Sequence, residues 1–204
     1  MGTAIRSRAR LAGYVLLLLS LAPLPVAAQQ IQVTLDPAQT TIEWTLVTTL
    51  HTVHGTFKMK SGTISFDTKS GTASGLIIVA ATSGDSDNHA RDSKMQKEVL
   101  ESQRYPEVTF IPQRVFGGVP QTGNSTIRVQ GLFHIHGSDH DLTLSIPIAI
   151  NGNQVKASTS FTVPYQDWGM KDPGNFLLHV DKKVAVNVST VGRLTQANGA
   201  PAAH

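Results

Sequence analysis

Cysteine is absent from all 204 residues. That excludes disulfides, a thiol nucleophile, a thiolate metal site and a lipid anchor on an N-terminal cysteine. An exported domain without disulfides needs a core large enough to stand alone. Long apolar runs are also missing after the first thirty residues, so no later stretch reads as a membrane-spanning helix. There is no Gly-x-Ser-x-Gly elbow, which argues against a serine hydrolase. No glycine-rich loop sits at a strand–helix junction to cradle phosphate. Acidic residues are scattered, and nothing marks a paired-carboxylate site.

An excess of one charge is missing too, once the N-terminus is set aside. Arg6, Arg8 and Arg10 precede an apolar run, Leu11 to Leu24, broken only by Gly13, Tyr14, Ser20 and Pro23. Val26-Ala27-Ala28 then supplies small residues ahead of Gln29. This pattern is that of a secretory signal peptide over residues 1–28, removed on export. The whole chain has 17 basic and 14 acidic residues. Without the three leader arginines the balance is even. The basic character of the precursor is therefore targeting signal, not a nucleic-acid or anionic-membrane footprint. The mature protein is expected in the periplasm or secreted, without stable membrane insertion.

What is present is alternation. Ile42, Trp44 and Leu46 alternate with Glu43, Thr45 and Val47. Phe57 and Met59 alternate with lysines. Ile64-Ser65-Phe66 and the run Leu76 to Ala81 follow, then Val108 and Phe110, and Ile127-Arg128-Val129. Leu142 to Ile148, Val155 to Val163 and Val184 to Val188 complete the series. Period-two patterning puts one set of side chains on one face of a sheet. Turn signals fall at Lys60-Ser61-Gly62, Asp67 to Gly71, Phe116-Gly117-Gly118, Thr122-Gly123-Asn124, His136-Gly137-Ser138 and Asn151-Gly152-Asn153. Many strands with short turns predict an antiparallel sandwich or barrel. The domain is expected over 29–194, with no linker and a disordered tail at 195–204.

One segment breaks the pattern. Residues 87–102, "DNHARDSKMQKEVLES", read as a short helix, capped by Asp87 or Asn88. Met95, Val99 and Leu100 share one side of it, and Tyr105-Pro106 ends it. Val163 to Phe176, "VPYQDWGMKDPGNF", reads as a long loop. Two sequons, at Asn124 and Asn187, matter only in a eukaryotic host.

These segments together resemble the YceI-like family. "NHARDSKMQKEVLES" followed by "RYPEVTF" is similar to its Arg-Asp helix and Tyr-Pro-x-x-x-Phe strand. "HGTF" with "GTISFD" resembles its Gly-x-Phe strand and its Gly-x-Ile-x-Phe-Asp hairpin. "GLFHIHGSDHDLTLSI" resembles its Gly-x-Leu-x-Ile-x-Gly segment. The resemblance runs from about Asp36 to Gly192. It implies an eight-stranded antiparallel barrel, similar to lipocalins, around an apolar cavity that holds a long isoprenoid chain, with no catalytic residue, metal or cofactor. His140-Asp141 stands where many members have Lys-Pro, and the loop at 164–176 is more elaborate than usual.

With a hollow barrel, the apolar parity becomes a ligand-facing surface. The expected lipid-binding residues are Trp44, Leu46, Phe57, Met59, Phe66, Ile78, Phe110, Phe133, Ile135, Leu144, Ile146, Phe161 and Val186. Gly55, Gly75, Ala80, Ala81 and Ala157 leave room within the lumen, or else ease strand bending and tight packing. The helix and the Trp168 loop are expected to cover the mouth. Trp44 and Trp168 read as packing residues, since no basic stripe accompanies them for nucleic acid. Arg91-Asp92 reads as a clamp fixing the helix on the barrel, with a head-group contact as the other option.

Three histidines lie within seven residues: His134, His136 and His140. His134 and His136 share the parity opposite to Phe133 and Ile135, so both are expected to face solvent, with His140 converging on the same patch. The alternative function is a metal-binding protein or zinc hydrolase on this cluster, with His51 or His54 as extra ligands and an open position for water. The plainer reading is a solvated hairpin face. A homodimer is left open.

Overall fold

The computed structural model describes residues 30–174 and 179–197. The expected leader at 1–28 lies outside these residues, as do 198–204 of the expected tail and the last two residues of the expected loop. The described chain is one antiparallel sheet: β1 (Gln30–Leu35), β2 (Thr41–Val47), β3 (Thr52–Asp67), β4 (Ala73–Asp85), β5 (Glu107–Phe116), β6 (Gly123–Ile135), β7 (Ser138–Asn151), β8 (Gln154–Val163) and β9 (Val184–Ala197).

The sheet closes on itself. Strands β2 to β9 form a ring in which each pairs with its sequence neighbour and β9 returns to β2. β1 adds no further stave. It pairs with the end of β3 at 63–67 and the end of β9 at 192–197, while β2 pairs with the other halves of the same two strands. β1 and β2 are one stave broken at residues 36–40. There the Asp36 carboxylate accepts the Ala38 N–H at 2.9 Å and Pro37 starts a single tight turn. Nine strands thus make the eight-stranded barrel. β9 reaches Ala197, so residues 195–197, expected as tail, are strand paired with β1.

Two other expectations are corrected. Lys60-Ser61-Gly62 is not a turn: β3 runs straight through it, with a bulge against β4 between Met59 and Ser61. A bulge inserts one unpaired residue and bends the strand. It also flips the parity, so that Phe57 and Met59 at odd positions and Ile64 and Phe66 at even positions all turn inward. The helical segment is also more broken than expected. α1 covers only His89–Lys94, capped by the Asn88 side chain, which accepts the Arg91 N–H at 3.0 Å. Met95–Val99 then widens into a π turn, with the Leu100 N–H donating to the Met95 carbonyl at 2.9 Å.

The antiparallel order sorts the connections between the two ends of the barrel. One end carries the short turns after β3, β5 and β7. The other carries the β2–β3 turn at 48–51, α1 and the π turn, the His136-Gly137 turn and the loop after β8. No helix among the described residues is long and apolar enough to cross a membrane.

Candidate functional site: an apolar cavity under the helix

The end with short turns is filled by side chains. Ile148, Ile150 and Val155 pack there with Val119, Ile127 and Leu194. Phe66, Ala73, Phe110, Val115, Val129 and Leu144 form the adjoining layer. Above that layer the side chains stand apart and leave a cavity of about 620 Å³. Its size falls within the about 300–1,000 Å³ of small-molecule sites.

The wall comes from the inward parity of every stave. Of the thirteen residues expected to face the lumen, all line this cavity except Phe66 and Ile78. Phe66 belongs to the filled layer below. Ile78 is displaced for a different reason. The run Leu76 to Ala81 is apolar at every position, so it carries no parity of its own. Pairing fixes it: Ile77 lies opposite Phe110, and Ile77 and Val79 take the inward places. Of the expected small residues, Ala157 lines the cavity. Gly55 serves close approach instead, since a Cβ there would sit 2.4 Å from the Trp44 ring.

Residues outside the strands complete the site. Ala90, Arg91, Lys94, Met95, Val99 and Leu100 line it from the helical segment, and Tyr165, Met170 and Pro173 from the loop. Only the Met95, Val99 and Leu100 side was legible beforehand. Tyr165 and Met170 are buried and pack with Val99, Ile135 and Val163. They lie in a stretch without periodicity, so nothing in the pattern marks them. The Tyr165 hydroxyl donates to the Asp181 carbonyl at 2.9 Å, and burial pushes its pKa up.

The covering pieces are tied by polar contacts. Arg91 Nε donates to Ser86 Oγ at 2.7 Å, and its Nη2 donates to the Ser86 carbonyl at 2.6 Å. Asp92 accepts both the Ser86 hydroxyl and the Ser86 N–H. The Arg-Asp pair is therefore a clamp on buried Ser86, as the structural reading of the sequence had it. Lys94 Nζ donates to the Pro173 carbonyl at 2.6 Å, and Lys171 pairs with Glu98 at 2.7 Å, so helix and loop are joined across the mouth.

The three histidines do not converge. His134 is half-exposed and bonds Asp139 at 2.7 Å on the outer wall. His136 is not on a strand at all. With Gly137 it forms a two-residue turn in which both residues have positive φ, 51° and 77°, the combination that matches strand twist in tight hairpins. That turn breaks the parity that would have set His136 beside His134. Its side chain is 17% exposed, 3.3 Å from Glu101, with its ring tilted against Tyr105 at a centroid distance of 5.0 Å. His140 lies opposite Phe133 on the pairing register, under Trp168, with ring centroids 3.9 Å apart and planes 9° apart. Burial lowers its pKa; Asp139 opposes this and His134 adds to it. Among the described residues, no three metal-ligating side chains come together, with or without His51 and His54. Trp168 also packs on Phe133 and does not itself line the cavity.

Residues 33–192 match the model of the YceI-like domain. The chain belongs to the YceI-like family. Among curated relatives, a UPF0312 protein of Pseudomonas savastanoi pv. phaseolicola is 29% identical over 130 residues. That match covers 60% of this chain and 66% of the relative, just under two thirds of its length. Two solved structures share the fold at low identity. A polyisoprenoid binding domain from Saccharophagus degradans, implicated in plant cell wall breakdown, aligns with a TM-score of 0.64 at 12% identity, over 80% of this chain and 98% of that one. BcnA of Burkholderia cenocepacia aligns with a TM-score of 0.63 at 16% identity, over 77% and 98%.

Proposed function

We propose that this chain is an exported lipid-binding protein that holds an isoprenoid or similar long apolar chain inside its barrel. The observation that carries the reading is the cavity of about 620 Å³ walled by aliphatic and aromatic side chains. The solved neighbour described as a polyisoprenoid binding domain supports it through the shared barrel. The leader-like residues 1–28 support export.

Apolar burial sets the length of ligand required. Each buried methylene contributes about 0.8 kcal/mol, so one five-carbon isoprene unit gives about 4 kcal/mol. Association costs about 4–15 kcal/mol in lost freedom. One unit therefore barely offsets the cost, whereas about four units clear it. Binding of this kind needs no catalytic group. Arg91 and Lys94, the charged residues of the wall, stand on the helix at the mouth, where a polar head group would lie.

The test is organic extraction of the purified native protein followed by mass spectrometry. An apolar chain of about twenty carbons or more is expected. Ala157→Phe, which adds a ring into the cavity, should remove it while the protein stays folded, and Val186→Phe is a second such variant. Repeatedly ligand-free extracts would overturn the reading. The zinc alternative has no observation in its favour, because the imidazoles point to three different places.

A further inference from the structure

Two of the four large hydrophobic residues left exposed among the described residues lie on one short hairpin. Val47 is 51% exposed and Leu50 76% exposed. The turn that carries them is the rim of the cavity: Leu46, Thr48, His51 and Val53 on the same hairpin line the lumen. Single exposed hydrophobics are ordinary and need no account. The turn that carries this pair is closed by hydrogen bonds. Thr48 Oγ1 accepts the N–H groups of Leu50 and His51 at 3.3 and 3.1 Å and donates to the His51 carbonyl at 2.7 Å.

The same turn is fastened to the strand-entry segment before β9. The Thr49 N–H donates to the His179 carbonyl at 3.0 Å, and the Asp181 N–H donates to the Val47 carbonyl at 2.9 Å. With Thr48 bridged to Val180, this sets Lys182 and Lys183, both exposed, just past Val47 on the neighbouring segment. No carboxylate among the described residues pairs with either lysine. Of the acidic groups nearby, Glu98 holds Lys171, Asp172 accepts the Gly174 N–H, and Asp181, adjacent in sequence to the lysines, accepts the backbone N–H of Lys183.

We propose that the Val47–His51 hairpin, with Lys182 and Lys183, docks the cavity mouth onto a bilayer containing anionic phospholipid. Leu50 enters the boundary between head groups and acyl chains, and the two ammonium groups face lipid phosphates. This is the arrangement by which apolar area and basic charge combine at a membrane surface. It places the apolar lumen wall continuous with the bilayer interior, so a lipid tail enters without crossing water. The purpose of the docking rests on the lipid-holding reading, but its test does not.

The test is flotation of the purified protein with vesicles of phosphatidylcholine alone and with about a third phosphatidylglycerol. Binding is expected to the mixed vesicles and to weaken at high salt. Leu50→Asp, and separately Lys182→Glu with Lys183→Glu, should each lower the partition coefficient about ten-fold or more. Leu76→Thr, on an exposed apolar residue of the side wall, should leave it unchanged. Unaltered thermal melting in each variant shows that folding is intact. Absence of binding, equal partition of Leu50→Asp and the parent protein, or an equal loss in Leu76→Thr would each overturn the proposal. So would a dimer that Leu50→Asp dissociates, since the tip would then meet a second copy. Lipid extraction on the same samples separates the two ideas. Extracted lipid without vesicle binding sinks only the docking, and vesicle binding without extracted lipid sinks only the lipid-holding reading.

Discussion

The two ends of this barrel share the same strands and the same alternation, yet one is solid and the other hollow. At the solid end Ile148, Ile150 and Val155 pack with Val33, Val119, Ile127 and Leu194 from other strands and turns, and short turns leave nothing to cover. At the hollow end Trp44, Leu46, Phe133 and Phe161 line a wall, and closure is left to a helix and a loop. Those two pieces are joined by packing of Val99 with Tyr165 and Met170 and by polar ties, Lys94 to Pro173 and Lys171 to Glu98. Period-two patterning states which face is apolar. It does not state whether the apolar faces touch.

That contrast has an energetic consequence, and it gives the largest expected effect. A side chain packed on all sides loses both transfer energy and contacts when truncated. One facing a cavity already lacks partners on that side. Ile150, 4% exposed and away from the cavity, should lose about 2–4 kcal/mol of stability as Ile150→Ala. Leu46→Ala, in the cavity wall, should lose less than half as much. Urea unfolding of the two variants measures this. Equal losses would mean the hollow end is as tightly packed as the solid one.

Much of this was legible in the chain and some of it could not be. The alternating runs around Trp44, Phe57, Leu144 and Phe161 declared the inward face correctly, because each carries its own parity. Ile78 did not, because a strand that is apolar at every position takes its facing from its neighbour. His136 was misplaced because a turn residue with positive φ has no parity at all. Phe66 has the right parity and the wrong depth: alternation gives the side of a strand, not the height along the barrel. Tyr165 and Met170 are set by long-range packing of an aperiodic loop.

Next in size is the helix clamp. Arg91 makes two charge-assisted hydrogen bonds to Ser86, and bonds of this kind contribute about 1.5–3 kcal/mol each when buried partners depend on them. Arg91→Ala should therefore cost roughly 2 kcal/mol, since Ser86 keeps its bonds to Asp92. Amide exchange should accelerate in residues 89–99 and stay unchanged around Ile150. Acceleration at both ends would show that the two are one cooperative unit.

The Trp168 loop gives a smaller effect with a defined pH direction. His140 has a folded pKa below its ordinary value of about 6.5, because burial under Trp168 disfavours the charged ring. The unfolded chain then binds the proton more readily, so stability rises with pH through this window. The contribution is complete above about pH 6.5 and fades as pH falls toward the lowered folded value. The indole NMR signal of Trp168 in the folded protein should shift as pH falls through the lowered His140 value. His140→Phe keeps a ring under Trp168 and should abolish the shift. A persistent shift in that variant would show that His140 is not the group that titrates.

The smallest effect is expected where the mouth looks most visibly tied. Lys171 and Glu98 lie 2.7 Å apart, but both are well exposed, and Lys171 lowers the Glu98 pKa through a hydrogen bond and its charge. Solvent screens such pairs, and holding two long side chains in one geometry offsets much of the attraction. Lys171→Ala should move Tm by no more than about 2 °C. The effect should shrink further in high salt and as pH falls through the lowered Glu98 value, where the carboxylate is neutralised. The same change on the side wall, Lys60→Ala opposite Glu107, is the control. If Lys171→Ala melted the protein far earlier than Lys60→Ala, the covering pieces would be part of the fold's stability rather than a closure laid over it, and the contrast between the two ends would fail.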